Sequence, residues 1–161
     1  MVEDSPKKYH FYEIQKVRQI WVWIIILLVF FALVTPILIG EVNIYLGIIL
    51  FSFGFGFIWL FWGMKLITEI KEDGIKIIFS PFTNFIIPFN KIKKYQIRQY
   101  RPIIEYGGWG IRGKLKKIRS GKAYTISGTT GLQIRLFNEK DILIGTQNPD
   151  ALLQSLDIKM K

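Results

Sequence analysis

Two uncharged apolar stretches, almost back to back, constrain this chain more than any other feature. Residues 20–39 read IWVWIIILLVFFALVTPILI, twenty positions without a charge. At 1.5 Å of rise per residue that is about 30 Å of helix, the thickness of a bilayer core. Gly40, Glu41, Val42 and Asn43 interrupt the pattern, and residues 44–64 then form a second uncharged run, IYLGIILFSFGFGFIWLFWGM. Four residues between two spans leave room only for a tight transmembrane α-hairpin. Two buried core helices of a soluble protein would be the alternative, but uncharged neighbours of this length have no such counterpart in a small chain. A signal peptide would have a shorter apolar region ending in small residues. The segment Pro36, Ile37, Leu38, Ile39 offers no such site, so the first span is expected to be retained.

Charge orients the hairpin. Before the first span lie Lys7, Lys8, Lys16 and Arg18, the loop carries Glu41 and no base, and the other 18 of the 22 Lys and Arg follow Met64. The positive-inside rule then predicts a multi-pass protein of the inner (cytoplasmic) membrane with both termini in the cytoplasm. Trp21 and Trp23 open the first span while Trp59 and Trp62 close the second, so all four indoles fall at one interface. Tyr9, Phe11 and Tyr12, beside Lys7 and Lys8, read as an interfacial anchor within residues 1–19. In the second span Gly47 and Gly54 share a helix face, and Ser52 with Gly56 forms a small-xxx-small spacing. These small residues serve either packing between the two spans or a homo-oligomer or partner-helix interface.

Residues 65–161 behave differently. Apolar positions alternate with polar ones, and the breaks are turn-like: Lys71-Glu72-Asp73-Gly74, Pro81-Phe82-Thr83-Asn84, Gly128-Thr129-Thr130-Gly131 and Glu139-Lys140-Asp141. Strands are expected over 66–70, 75–80, 85–89, 93–100, 122–127, 132–138 and 142–147, with a long connection over 101–119. A final helix is signalled by Asn148 as cap, Pro149 in the first turn, Asp150 at the positive end, and the stripe Leu152, Leu153, Leu156 and Met160. The expectation is therefore a transmembrane α-hairpin (20–64) followed by a mainly-β cytoplasmic domain (65–161). That domain would be a seven-stranded antiparallel barrel or sandwich capped by the C-terminal helix, the order of the pleckstrin-homology (PH) superfold.

The stretch Gly107-Gly108-Trp109-Gly110-Ile111-Arg112-Gly113, the later Gly145-Thr146-Gln147-Asn148-Pro149, and Thr68-Glu69-Ile70 followed by Asp73-Gly74-Ile75 resemble signatures of a family of small bacterial membrane proteins with PH-like domains. The resemblance covers roughly residues 65–159, and a preceding two-span hairpin also fits it. It implies a PH-like barrel exposed to the cytoplasm and transfers no catalytic residues.

Composition removes several kinds of chemistry. The 161 residues include no Cys and one His, His10. Thiolate nucleophiles, zinc sites built on Cys or several His, and Ser-His-Asp triads are excluded. A disulfide-stapled module is excluded too, and 50% hydrophobic residues with a mean hydropathy of +0.28 rule out a disordered chain. No cofactor and no metal site is expected, and an enzyme is not expected. Gly107-Gly108-Trp109-Gly110 matches neither phosphate-binding glycine pattern. Glu69 and Glu105 read as structural carboxylates facing basic neighbours.

The candidate lipid- or partner-binding residues are Trp109, Arg112, Lys114, Lys116, Lys117, Arg119 and Lys122. Six of the eleven residues in 112–122 are basic, and residues 106–138 contain no carboxylate. Close to an anionic leaflet each such base contributes about 1 kcal/mol. The segment is either a lipid-facing surface, a solvated basic face, or a site for an acidic protein or nucleic acid, for which no recognition motif is present. Glu72 and Asp73 in the first turn argue against a specific phosphoinositide pocket. Trp109 could plug the barrel, dip into the membrane interface or anchor a partner. The function expected is a membrane-anchored, non-enzymatic binding or scaffold protein that contacts protein partners and, non-specifically, anionic lipid. The alternative is an accessory subunit of a membrane enzyme or transporter complex.

Overall fold

The computed structural model describes residues 11–113 and 121–160. It divides into two units: Val17–Met64, and the segment ending at Lys16 together with the segment beginning at Lys65.

The first unit is a helical hairpin, α1 (Ile20–Leu38) and α2 (Ile44–Gly63). Both helices are long and apolar enough to cross a membrane, and only 6% and 11% of their most apolar windows are buried, so neither is a buried core helix. The Asn43 side-chain oxygen caps α2 by accepting from the Leu46 N–H at 2.9 Å. Contact between the helices runs through small residues. Gly47 and Gly54 are buried, and a Cβ on Gly54 would stand 2.9 Å from the Phe30 ring. Aromatic edges complete it, with Trp23 and Trp62 centroids 6.0 Å apart and Phe30 and Phe51 also 6.0 Å apart.

The second unit contains two sheets. The first is a meander in the order β1 (Phe11–Lys16), β2 (Lys65–Ile70), β3 (Gly74–Ser80) and β4 (Thr83–Pro88), all antiparallel. The second has the order β5-β8-β9-β7-β6, comprising β5 (Ile92–Gln99), β6 (Gly110–Gly113), β7 (Gly121–Thr125), β8 (Thr130–Leu136) and β9 (Asp141–Gly145). A five-residue helix α3 (Pro102–Tyr106) lies between β5 and β6, and α4 (Pro149–Met160) ends the chain.

All seven expected strands are present, and three expectations are corrected. Residues 11–16, read as part of an interfacial segment, form β1, with Phe11 buried and Tyr12 exposed; Tyr9 and His10 lie outside the described residues. The strand buries Phe11, Glu13 and Gln15 and exposes Tyr12 and Ile14, the reverse of an ordinary amphipathic strand; long-range hydrogen bonds hold the Glu13 carboxylate and the Gln15 amide N–H inside. The connection 101–119 contains α3 and β6 in addition to residues outside the description. The sheets are not wholly antiparallel, since β7 pairs with β9 in parallel.

The core collects the inward positions of both sheets: Leu66, Ile70, Ile75, Ile77 and Phe79 from the first, Leu132, Ile134, Leu143 and Ile144 from the second. Phe85 of β4 and Tyr124 of β7 approach to 5.0 Å between ring centroids. Helix α4 touches β1, β5 and β8, and inserts Leu152 and Leu156, both fully buried. Leu153 is only half-buried, so the closing stripe is narrower than its apolar residues suggest.

Candidate functional site

The glycine-tryptophan segment follows directly from α3. Pro102 starts that helix, and Gly107 ends it in the left-handed region at φ +73°. The N–H groups of Gly107 and Gly108 donate to the Ile103 and Pro102 carbonyls at 3.0 and 2.9 Å. Gly108 and Gly110 also have positive φ, +122° and +111°, which residues with a Cβ resist. The backbone thus folds tightly on either side of Trp109. Its indole N–H donates to the Gly128 carbonyl at 3.0 Å, and its own carbonyl accepts from Arg112 Nε at 3.2 Å. The side chain is half-buried and tied to the β7–β8 turn.

Arg112 and Lys122 lie on the paired strands β6 and β7, where Arg112 stands opposite Ala123 and Gly113 opposite Lys122. Because side chains alternate, this register puts Arg112 and Lys122 on opposite faces of the ribbon. Both are exposed, and among the described residues neither is joined to a carboxylate. Lys114, Lys116, Lys117 and Arg119, which connect β6 to β7 in sequence, lie outside the described residues.

Other bases are already engaged. Arg98 on β5 reaches Glu105 at 2.9 Å, Gln133 Oε1 at 3.0 Å, the Tyr106 hydroxyl at 3.1 Å and the Gln99 carbonyl at 3.2 Å. Burial works to lower the Arg98 pKa, but the hydrogen bond it donates to Glu105 and the neighbouring charges outweigh it and raise the value. Tyr106 and Tyr100, packed edge to face at 6.2 Å, have their hydroxyl pKa values raised by burial, with Arg98 opposing. Each Arg98 nitrogen has a protein acceptor or partner, so the residue clamps α3 to the sheet and leaves no fork for an outside anion. Lys93 pairs with Glu139, and Arg135 with Asp141. Glu69 faces Lys71 and Lys76 at 3.8 and 4.0 Å, and Glu105 faces Arg98, as structural carboxylates should.

A second polar assembly escaped the sequence reading. The Glu13 carboxylate, 6% exposed, accepts from the Thr146 hydroxyl at 2.6 Å, the Gln147 N–H at 2.8 Å and the Gln15 amide at 2.8 Å. Gln15 also donates to the Gly145 carbonyl at 2.7 Å. This clasp joins β1 to the end of β9 and the entry to α4. Its only sequence signal is a pair of polar residues two apart, which fits an exposed strand face equally well. The partners in 145–147 fall within a stretch singled out for its resemblance, and structurally they receive β1.

On α2 the small residues divide. Gly47 and Gly54 meet Ile37 and Phe30 of α1, whereas a Cβ on Gly56 would have nothing within 4 Å. Ser52 and Gly56, with Phe51, Phe55 and Trp59, line a shallow groove of about 300 Å³ on α2. Among the described residues no group of three or more His, Cys, Asp or Glu could hold a metal. Comparison with protein-family models, with curated proteins and with solved structures finds no match to this chain.

Proposed function

We propose that this chain is a membrane-anchored, non-enzymatic binding protein whose PH-like cytoplasmic domain holds protein partners and anionic lipid near the inner face of the membrane. The observation that carries this reading is the place of the helical hairpin, between the adjacent strands β1 and β2. Only three residues separate Lys16 from Ile20, and only Met64 separates Gly63 from Lys65. Both tethers are short and enter neighbouring strands, which suits a platform for docking. The PH-like assignment is supported by a four-strand meander (β1–β4), a three-strand meander (β5, β8, β9) and a closing helix, with α3, β6 and β7 as an insertion. The cytoplasmic position of both termini is supported by the distribution of Lys and Arg.

The inserted ribbon is the lipid- and partner-facing element in this reading. Arg112 and Lys122 flank Lys114, Lys116, Lys117 and Arg119, and no acid neutralises them in sequence. The open Ser52–Gly56 groove on α2 favours a second reading, in which the chain docks a partner span as an accessory subunit or pairs with its own copy.

Hydrogen exchange of the full chain in vesicles tests the lipid part. Amides of residues 110–125 should be protected in phosphatidylglycerol-containing vesicles at low salt and lose that protection at high salt, since screening acts over about 10 Å at 0.1 M. Replacing Lys114, Lys116, Lys117 and Arg119 by Ser should remove the difference. Equal exchange in anionic and zwitterionic vesicles would eliminate the lipid role and leave the ribbon to a protein partner, recoverable by crosslinking in native membranes.

A further inference from the structure

We propose that the β3–β4 turn, with Phe82 at its tip, is a third membrane contact of the sheet domain, sinking into the boundary between headgroups and acyl chains. The proposal rests on the reading that the α1–α2 hairpin spans a bilayer, and it concerns a surface separate from the basic ribbon.

Register and connectivity locate the turn. Lys16, the last residue of β1, pairs with Lys65, the first of β2, so both junctions with the hairpin lie at one end of the first sheet. Strand β2 runs away from that end and β3 returns to it, placing Ser80 opposite Lys65. Paired Cα atoms are about 5 Å apart and each further residue adds at most 3.8 Å, so Phe82 lies within about 13 Å of the junction residue Lys65. The β2–β3 turn is at the opposite end of the same strands and carries Glu72 and Asp73.

The chemistry of the two ends differs in the same sense. Lys16 and Lys65 pair at the hairpin end of the sheet, and residues 79–84 of the turn contain no carboxylate. Phe82 is 56% exposed, whereas its neighbour Phe79 is 1% exposed in the core. The Phe82 N–H donates to the Phe79 carbonyl at 2.8 Å and closes the turn, and the two rings lie 6.1 Å apart. The closed turn therefore presents one aromatic ring outward from a rigid base. An apolar ring flanked by bases matches a layer of anionic headgroups above acyl chains, where each base gains from the surface potential and the ring leaves water. The far end, where Glu72 and Asp73 sit beside Lys71, offers no such excess of bases.

The chain has no Cys, so single labels can be placed cleanly. Phe82→Cys, Glu72→Cys and Leu28→Cys, each carrying an environment-sensitive fluorophore, are reconstituted as full chains in phosphatidylglycerol–phosphatidylcholine vesicles. Quenching is read from lipids bearing a nitroxide near the headgroup or at mid-chain. The label at position 82 should be quenched at least about twofold by the shallow nitroxide, that at 28 by the deep one, and that at 72 by neither. Asn84→Cys, exposed and two residues farther along, gives a weaker signal of the same kind and guards against disturbance of the Phe79–Phe82 contact. Quenching at 28 with positions 82 and 84 behaving like 72 overturns the proposal and leaves the hairpin in the bilayer. Absence of quenching at 28 overturns the membrane reading and this contact with it.

Discussion

The helical hairpin and the sheet domain are built from similar apolar residues arranged in opposite senses. In the hairpin the large side chains point outward: Phe31 is 61% exposed, Phe53 65% and Trp62 76%, while the buried positions are Ile26, Gly47 and Gly54. In the sheet domain Ile, Leu and Phe point inward, and the buried set also includes Glu13, Gln15, Thr68, Thr125, Gln133 and Asp141. The contrast teaches that apolar content alone does not define a core. In the proposed bilayer setting large side chains gain nothing from leaving lipid, so close approach through glycine organises the helices. In water the large side chains are driven inside, and polar groups that follow them need partners.

The sharpest way to break this comparison is to remove the hairpin. Lys16 and Lys65 are direct partners in an antiparallel pair, so replacing residues 17–64 by Asn-Gly should turn β1 and β2 into an ordinary two-residue hairpin. The product is expected to be water-soluble, monomeric by size exclusion and mainly β by circular dichroism. Residues 65–161 alone lack β1, and with it the Glu13 and Gln15 bonds to 145–147, and should be less stable in urea by about 3 kcal/mol or more. Equal stability of the two would show β1 to be dispensable.

A smaller effect separates the two kinds of leucine. Leu156→Ala empties a fully buried site under α4 and should cost about 2–5 kcal/mol in unfolding of the soluble hairpin-deleted protein. Leu28→Ala, at a position 64% exposed on α1, should leave the melting of the detergent-solubilised full chain within about 0.5 kcal/mol of the parent. A large loss at Leu28 would mean that a further protein surface covers α1.

The smallest effect is expected at Tyr95, whose hydroxyl donates to Asp157 at 2.6 Å and fastens β5 to α4. The hydrogen bond to Asp157, then burial, then the Asp157 charge push its pKa up to about 12. A phenol whose folded pKa is raised contributes fully below its unfolded value near 10, and loses the contribution as pH climbs from about 10 toward 12. Tyr95→Phe should cost under about 1 kcal/mol at neutral pH, because the pair is solvent-screened. The gap between parent and variant melting temperatures should narrow above pH 10; a gap constant to pH 11.5 would remove Asp157 as the cause.

Much of the sheet domain was legible because its signals are local. The turn at 71–74 is closed by the Lys71 N–H donating to the Gly74 carbonyl at 2.9 Å, as its residues predicted, and α4 begins at Pro149. The glycines around Trp109 permit backbone geometry that other residues resist, and three of them have positive φ. The partner of Trp109, Gly128, could not be read, since a carbonyl acceptor leaves no mark on residue type. Nothing in the neighbouring sequence marks Arg98 as a clamp, because Glu105 and Tyr106 reach it only through α3.

What the sequence determined by itself was the presence of two uncharged helices, the positions of seven strands and the helix that follows them. Each depends on periodicity, run length or turn chemistry within a few neighbouring residues. The tertiary structure decided that a strand before the hairpin pairs with the strand after it, that β7 lies parallel to β9, and that Glu13 is buried. Those outcomes turn on bonds between residues up to 134 positions apart, such as Glu13 with the Gln147 N–H. A polar side chain reads as exposed until its distant partner is in place, and only the folded chain brings that partner within hydrogen-bonding distance.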